Sequence, residues 1–337
     1  MAEGLIGGII GDEVGKPDFE APVRRERLKD ELASSHACEC CGAQMQPLGG
    51  WVYVCHQCRF QASNLTPAAG TGIPGLEELR LRNFELLLDR LEEVKMLRGA
   101  RLLEVGSARG WFLEAAVRRG VQVQGIEPEA VNAEMSRKNG LAVEIGFFPN
   151  DLKSCGPFDL IIFNDVFEHL AKPSAVIQAV QSLLKPGGIA VINLPSSKGI
   201  LFLIAAFLAR FGASGPLARL WQMGMPSPHV SYFNPENLSL LAQRHSNLQL
   251  IKRFSMTSVS RQGLASRIGA SHSGAKGVLM FAVIWGLSFI LPLLPSDIEV
   301  LFFCNPAARS GRSVPRSNRG PVSSDMSGSE LIPTMSR

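Results

Sequence analysis

Apolar residues at Leu76, Leu79, Phe84, Leu87, Leu88, Leu91 and Val94 recur at threes and fours, the period that lays one stripe along one side of a helix. The pattern predicts an amphipathic helix from Leu76 that ends near Gly99. From Arg101 to Leu194 short apolar runs alternate with helical stretches, as in βαβ units that build a parallel sheet. Strands are predicted at Arg101–Val105, Gln122–Ile126, Ala142–Ile145, Phe158–Phe163 and Ile189–Leu194. Helices are predicted between them at Trp111–Arg119, Glu129–Asn139 and Ser174–Leu184, the last stopped by Lys185-Pro186-Gly187-Gly188. Two apolar blocks follow, Ile200–Phe211 and Val278–Leu294, separated by a polar piece with a helix over Pro235–Arg244. A β-like run, Ile298–Phe303, closes the pattern, and no internal repeat is present.

This division gives a mobile leader over 1–35, a cysteine-rich module over 36–62, a Ser/Pro/Gly-rich linker over 63–75, a large α/β domain over 76–304 and a disordered tail over 305–337. With 46% hydrophobic and 19% charged residues in 337, the chain has ample apolar material for one large core and a small accessory module. The formal net charge is +4. Most of it belongs to the tail, where five arginines face only Asp325 and Glu330. The folded part is therefore close to neutral, which argues against nucleic acid as a partner. Five of seven cysteines fall between Cys38 and Cys58, unlike a secreted disulfide framework. The N-terminus shows no basic segment leading into an apolar stretch. Both observations lead to the expectation of a cytoplasmic protein.

The run Leu102-Leu103-Glu104-Val105-Gly106-Ser107-Ala108-Arg109-Gly110 reads as a strand entering a glycine-punctuated turn and then a helix. Gly106 and Gly110 let the backbone approach a ligand and turn without a Cβ clash. Ala108 stands where a dinucleotide fingerprint wants its second glycine, which counts against a dehydrogenase. About 17 residues beyond Gly110, Glu127 ends the next strand, where an acid can accept both hydroxyls of a ribose.

Taken with Phe158-Asp159-Leu160-Ile161-Ile162-Phe163-Asn164-Asp165-Val166-Phe167-Glu168-His169-Leu170, Leu184-Lys185-Pro186-Gly187-Gly188 and His229-Val230-Ser231-Tyr232-Phe233-Asn234-Pro235-Glu236-Asn237-Leu238, the sequence resembles class I S-adenosylmethionine-dependent methyltransferases over roughly 101–254. The resemblance implies an α/β Rossmann-like sheet with helices on both faces and an apolar helical cap over about 200–228 and 261–295. It implies S-adenosylmethionine as cofactor, with Glu104, Gly106, Ser107 and Gly110 around its methionine part, Glu127 at its ribose, and Asn164 and Asp165 near its sulfonium. The block at His229 is expected near the sixth strand of that fold. His229, with Tyr232 close behind, is the preferred general base for a hydroxyl acceptor. His169 is expected in the structural shell behind the fourth strand, and a divalent ion at Asp165, Glu168 and His169 is a further alternative.

Cys38-Glu39-Cys40-Cys41 and Cys55-His56-Gln57-Cys58 are two Cys-x-x-Cys knuckles 13 residues apart. Cys38, Cys41, Cys55 and Cys58 suit a tetrahedral structural Zn2+ in a ribbon, with Cys40 facing away. The apolar blocks leave two alternatives open, a packed cap or a surface that meets lipid or a lipid-linked substrate. The expected function is methylation of a small or lipid-linked acceptor, such as a sugar, a polyketide-like or a quinone-like molecule, by an enzyme that is either free in the cytoplasm or peripheral at the inner face of the membrane. The alternatives are an RNA methyltransferase that holds nucleic acid through the ribbon, and an inactive methyltransferase fold serving as an interaction protein.

Overall fold

The computed structural model describes residues 37–66, 77–153, 156–256 and 293–307, with isolated helical residues between 274 and 286. The predicted leader, most of the linker, most of the second apolar block and nearly all of the tail lie outside these residues.

Three short antiparallel strands come first: β1 (Met45–Gly49), β2 (Val52–Cys55) and β3 (Gln61–Ser63). Helix α1 (Glu77–Glu92) buries Leu87, Leu88 and Leu91, the stripe that its spacing predicts. It stops about two turns short of Gly99, because the Val94 and Lys95 N–H groups turn back onto the Leu91 carbonyl at 3.0 and 2.9 Å. The alternating region follows as β4 (Arg101–Val105), α2 (Trp111–Arg118), β5 (Gln122–Glu127), α3 (Ala130–Lys138), β6 (Val143–Ile145), β7 (Phe158–Asn164), α4 (Pro173–Leu183) and β8 (Leu184–Pro195). Next come α5 (Ile200–Arg210), α6 (Gly215–Leu220), β9 (Ser231–Tyr232), α7 (Pro235–His245), β10 (Gln249–Met256) and β11 (Ile298–Cys304).

Seven strands form one sheet in the order β10-β11-β8-β7-β4-β5-β6. The five strands from β8 to β6 are parallel, while β11 runs antiparallel between β8 and β10. Alternation along the strands divides the core in two. Leu103, Val105, Ile161, Phe163, Ala190 and Ile192 face the side covered by α4 and α7. Leu102, Leu160, Ile162 and Val191 face the side of α1 and α2.

Three local expectations need correction. Lys185-Pro186-Gly187-Gly188 opens β8 instead of forming a separate stop, because Asn305 ties it to the sheet: the Gly187 N–H donates to the Asn305 carbonyl at 2.7 Å and the Asn305 N–H to the Gly188 carbonyl at 2.8 Å. The block at His229 does not join the large sheet. Its strand β9 pairs with β3, Gln61 opposite Tyr232 and Ala62 opposite Ser231, and the sixth strand of the methyltransferase-like sheet is β10. Asn234 and Asn237 then close a reciprocal capping box at the start of α7, which ends the strand after two residues. Ser63 also belongs to the ribbon sheet and not to the linker, since its N–H donates to the Val230 carbonyl at 2.9 Å.

The ribbon shares its core with the α4 and α7 side of the sheet. Cys38, Cys40, Met45, Cys55 and Phe60 are buried in the same cluster as Val176, Ile177, Leu238 and Leu241. Phe60 and Phe233 bring their rings to 4.9 Å. Polar ties run alongside: His245 Nε2 meets the Glu39 carbonyl at 2.8 Å, and Arg244 Nη1 donates to the Cys41 carbonyl at 3.0 Å.

Candidate active site

The glycine turn sits between β4 and α2, with Gly106 at φ +69°, Ala108 at +46° and Gly110 at +80°. Glycine is required at both ends for space as well as for conformation. A Cβ on Gly106 would lie 2.5 Å from Val166 Cγ2, and one on Gly110 would lie 2.4 Å from Leu141 Cδ1. Ala108 adopts the left-handed conformation despite its Cβ, at a cost of about 1–2 kcal/mol. Glu127, at the end of β5, holds the turn: its Oε2 accepts from the Ala108 N–H at 2.8 Å and its Oε1 from the Glu129 N–H at 2.9 Å. Burial pushes the Glu127 carboxyl up, against these two hydrogen bonds. Each oxygen keeps a second lone pair for a further donor.

At the C-terminal ends of β4, β7 and β8 the α1 side of the sheet turns polar. Glu104 lies on the face of Leu102, and Asn164 and Asn193 pair across neighbouring strands. Asn164 Nδ2 donates to Glu104 Oε1 at 2.9 Å. Burial pushes the Glu104 carboxyl up to about 8, the Asn164 bond opposing this and the nearby Glu127 charge adding to it. Glu104 Oε2, Ser107 Oγ, Asn164 Oδ1 and Asn193 Oδ1 are buried with no partner among the described residues. A buried polar atom without a partner costs about 1–3 kcal/mol, so four together at the strand ends fit a ligand that brings its own hydrogen-bonding and charged groups.

A second polar group follows β7, where the chain passes through Asp165 at φ +53° into a 3-10 turn, Phe167–His169. Val166 links the two halves, because it is the residue that packs on Gly106. His169 Nδ1 lies 2.9 Å from the Pro228 carbonyl oxygen and 3.2 Å from Ser227 Oγ. A carbonyl only accepts, so Nδ1 carries the hydrogen and Nε2 keeps a free lone pair. His229 packs edge-on against His169 with ring centroids 4.8 Å apart. Its Nε2 accepts from Gln222 Nε2 at 2.9 Å, and its Nδ1 is buried with no hydrogen-bond partner among the described residues. Burial, then the neighbouring His169, pushes His229 down to about 3, and burial also lowers His169. Glu168 is buried with Oε1 3.8 Å from His229 Nε2; burial first, then the Asp165 charge, raises its carboxyl well above the usual range. Burial likewise raises Asp165. Tyr232 donates its hydroxyl to the Leu220 carbonyl at 3.0 Å, and burial raises it further from ionisation.

Among the described residues, two groups bring metal-ligating atoms within 4.8 Å of one another. One is Cys38, Cys41, Cys55 and Cys58, with Cys38 and Cys58 sulfurs 3.5 Å apart and Cys41 and Cys55 sulfurs 3.4 Å apart. The other is Glu168, His169 and His229; Asp165 is not part of it. Cys40 does not face away from the sulfur group. It is 1% exposed, and a hydrogen bond from its thiol is the first cause lowering Cys38 to about 4 and Cys58 to about 7.

The structure thus gathers Glu104, Ser107 and Asn164 at one end of the sheet beside the Glu127-braced turn, and sets His169 against His229. Gln222, Ser227 and Pro228 were not visible as partners in the sequence; the acid-free, Pro-rich run before His229 was their only trace. A cavity of about 670 Å³ between ribbon and α7, lined by Cys58, Arg59, Lys198, Gln243 and Arg244 among others, includes none of the cofactor-type residues.

The methyltransferase domain family matches residues 76–252. The ubiquinone biosynthesis O-methyltransferase of Xanthomonas euvesicatoria is 30% identical over 182 residues, 52% of this chain and 72% of that protein. Its counterpart in Xanthomonas campestris is 31% identical over 170 residues, 48% of this chain and 68% of that one. Among solved structures, the cyclopropane synthase MmaA2 of Mycobacterium tuberculosis is 16% identical, with a TM-score of 0.49 over 72% of this chain and 90% of that one. The chain belongs to the methyltransferase domain family and is a class I S-adenosylmethionine-dependent methyltransferase.

Proposed function

We propose that the enzyme methylates a hydroxyl group of a quinone-like, lipid-linked acceptor. His169 carries this reading: its Nδ1 is fixed on the Pro228 carbonyl, which leaves Nε2 as a neutral base for an acceptor hydroxyl. The names of the ubiquinone-pathway relatives support the quinone-like class. His169 and His229 exchange the roles expected of them. His229 is the more deeply buried ring, is pushed down to about 3 and braces His169 from behind, while Tyr232 is a packing residue whose hydroxyl is already used.

Bound S-adenosylmethionine supplies an electrophilic methyl group on a sulfonium. Glu104 and Asn164 would offer unpartnered buried atoms to its amino-acid part, Gly106, Ser107 and Gly110 would let the backbone come close, Glu127 would offer lone pairs to its ribose, and Asp165 would lie near its sulfonium. The chain's own work is to align acceptor and methyl group, exclude water and take the hydroxyl proton at His169 Nε2.

The four cysteine sulfurs support a structural zinc. Tetrahedral ligation with bonds of about 2.3 Å puts sulfurs roughly 3.8 Å apart, near the separations found. Its contribution is to hold the ribbon, and with it β9, in place.

The test uses a catechol-type quinol with labelled S-adenosylmethionine. Wild type should label a ring oxygen, His169→Ala should lower turnover by about 10²–10⁴ with cofactor affinity little changed, and His229→Ala should cost less. Full turnover in His169→Ala removes the assigned base.

A further inference from the structure

The first apolar block forms α5, whose two sides have different fates. Phe202 and Ala205 are buried, with Phe202 4.5 Å from the Tyr232 ring in a small core shared with Val52 and Trp221. The opposite side is apolar too, and it is open. Leu201, Leu203, Ile204, Phe207, Leu208 and Phe211 are all exposed, Phe207 by 58% and Phe211 by 75%. Those two rings stack at 5.0 Å, so the exposed face ends in an aromatic pair. A continuous apolar face of this size on a monomer marks a contact surface.

Charge identifies the partner. No acidic residue occurs between Glu168 and Glu236. Arg210 ends α5 next to Phe211 in the chain and Arg219 lies on the following helix, α6; both are exposed, and neither makes an ion pair among the described residues. The acids near the start of α5 are occupied: Asp297 Oδ1 accepts from the Leu201 N–H at 2.8 Å, and Glu236 pairs with Lys198 at 2.8 Å. No helix of the described residues is long and apolar enough to cross a membrane. An apolar face flanked by unpaired arginines is the pattern of a helix that lies in the plane of a lipid interface.

We propose that the outer face of α5 docks the enzyme on an anionic bilayer, with Phe207 and Phe211 inserted below the headgroups and Arg210 and Arg219 among them. Through Phe202 and Tyr232 this face backs onto His229, whose ring lies 5.4 Å from Tyr232, so docking sets the histidine pair beside the lipid. The proposal deepens the reading of a lipid-linked acceptor and rests on it for the acceptor's route to His169. Binding itself is measurable without any acceptor.

Full-length protein is sedimented with vesicles of phosphatidylcholine alone and with a quarter phosphatidylglycerol. Wild type should partition onto the anionic vesicles, and Phe207→Ser/Phe211→Ser should weaken this by tenfold or more, with S-adenosylhomocysteine affinity unchanged as the control for folding. Arg210→Gln/Arg219→Gln should weaken it about fivefold for each arginine, and added salt should do the same. Wild type left in the supernatant, or the double serine variant binding as well as wild type, overturns the proposal. So does sedimentation velocity that shows a dimer lost in the serine variant, which would assign the face to a second copy. None of these results bears on methyl transfer to a soluble quinol, so the two readings fail separately.

Discussion

At the scale of single residues the site is built from groups held away from their preferred state. Ala108 occupies a left-handed position at φ +46° where glycine has no steric cost. Ala108→Gly should therefore stabilise the protein by about 1 kcal/mol, less what the freer unfolded chain takes back, and urea unfolding measures it; a loss of stability would show that the turn is not strained. Glu104 is the second case. With its pKa pushed up to about 8 by burial, it contributes stability below its unfolded value that is lost as pH rises from about 4.5 through 8, and at pH 7 it is mostly protonated. A cofactor ammonium beside it should return it to the carboxylate. Titration calorimetry at pH 7 in buffers of different ionisation enthalpy should thus show release of up to about one proton per cofactor bound. No proton release between pH 6 and 9 would place the amino group elsewhere. His229 shifts the other way, held neutral by burial with a pKa of about 3, so its contribution to stability is present above about 6.5 and disappears as pH falls toward 3.

At the scale of elements, the period of the apolar positions gives α1 through β8 to within a few residues, because each of these elements is defined by a local pattern and a cofactor-side turn. The pattern also locates the strand ends and turn that carry Glu104, Gly106, Asn164 and Glu127, while their cofactor roles come from the family resemblance. What the pattern cannot carry is pairing between distant segments. The ribbon looks like an appended module in the sequence, yet β3 pairs with β9 and Ser63 Oγ donates to the His229 carbonyl at 3.3 Å. The surroundings of His229 are out of reach of the pattern for the same reason: its burial and its Gln222 partner arise from tertiary packing. The β3–β9 pairing makes a prediction of its own. Chelation of zinc, or Cys55→Ser, should release the ribbon and raise the acceptor KM about tenfold or more while S-adenosylhomocysteine affinity changes little, because the cofactor residues lie on other strands. Elemental analysis should find about one zinc per chain before treatment. An enzyme that loses its metal and keeps its acceptor KM would reduce the ribbon to a passive appendage.

At the scale of the whole molecule, the reading proposed above divides two tasks between the C-terminal strand ends of the large sheet and the smaller sheet packed beside it. The β4, β7 and β8 termini present buried polar atoms without partners among the described residues, which the proposal gives to the cofactor, and it gives the acceptor side to the ribbon, β9 and α5. The account stands on the first of these, because alignment for methyl transfer has no meaning without a cofactor at Glu104 and Glu127. Titration calorimetry of S-adenosylhomocysteine into wild type and Glu127→Ala tests it most directly. Wild type should bind one equivalent, and the variant should bind tenfold or more weakly, since losing the ribose contacts and the brace on the Ala108 turn costs about 1.5–3 kcal/mol. No binding to the wild type, or equal binding to both, would contradict it.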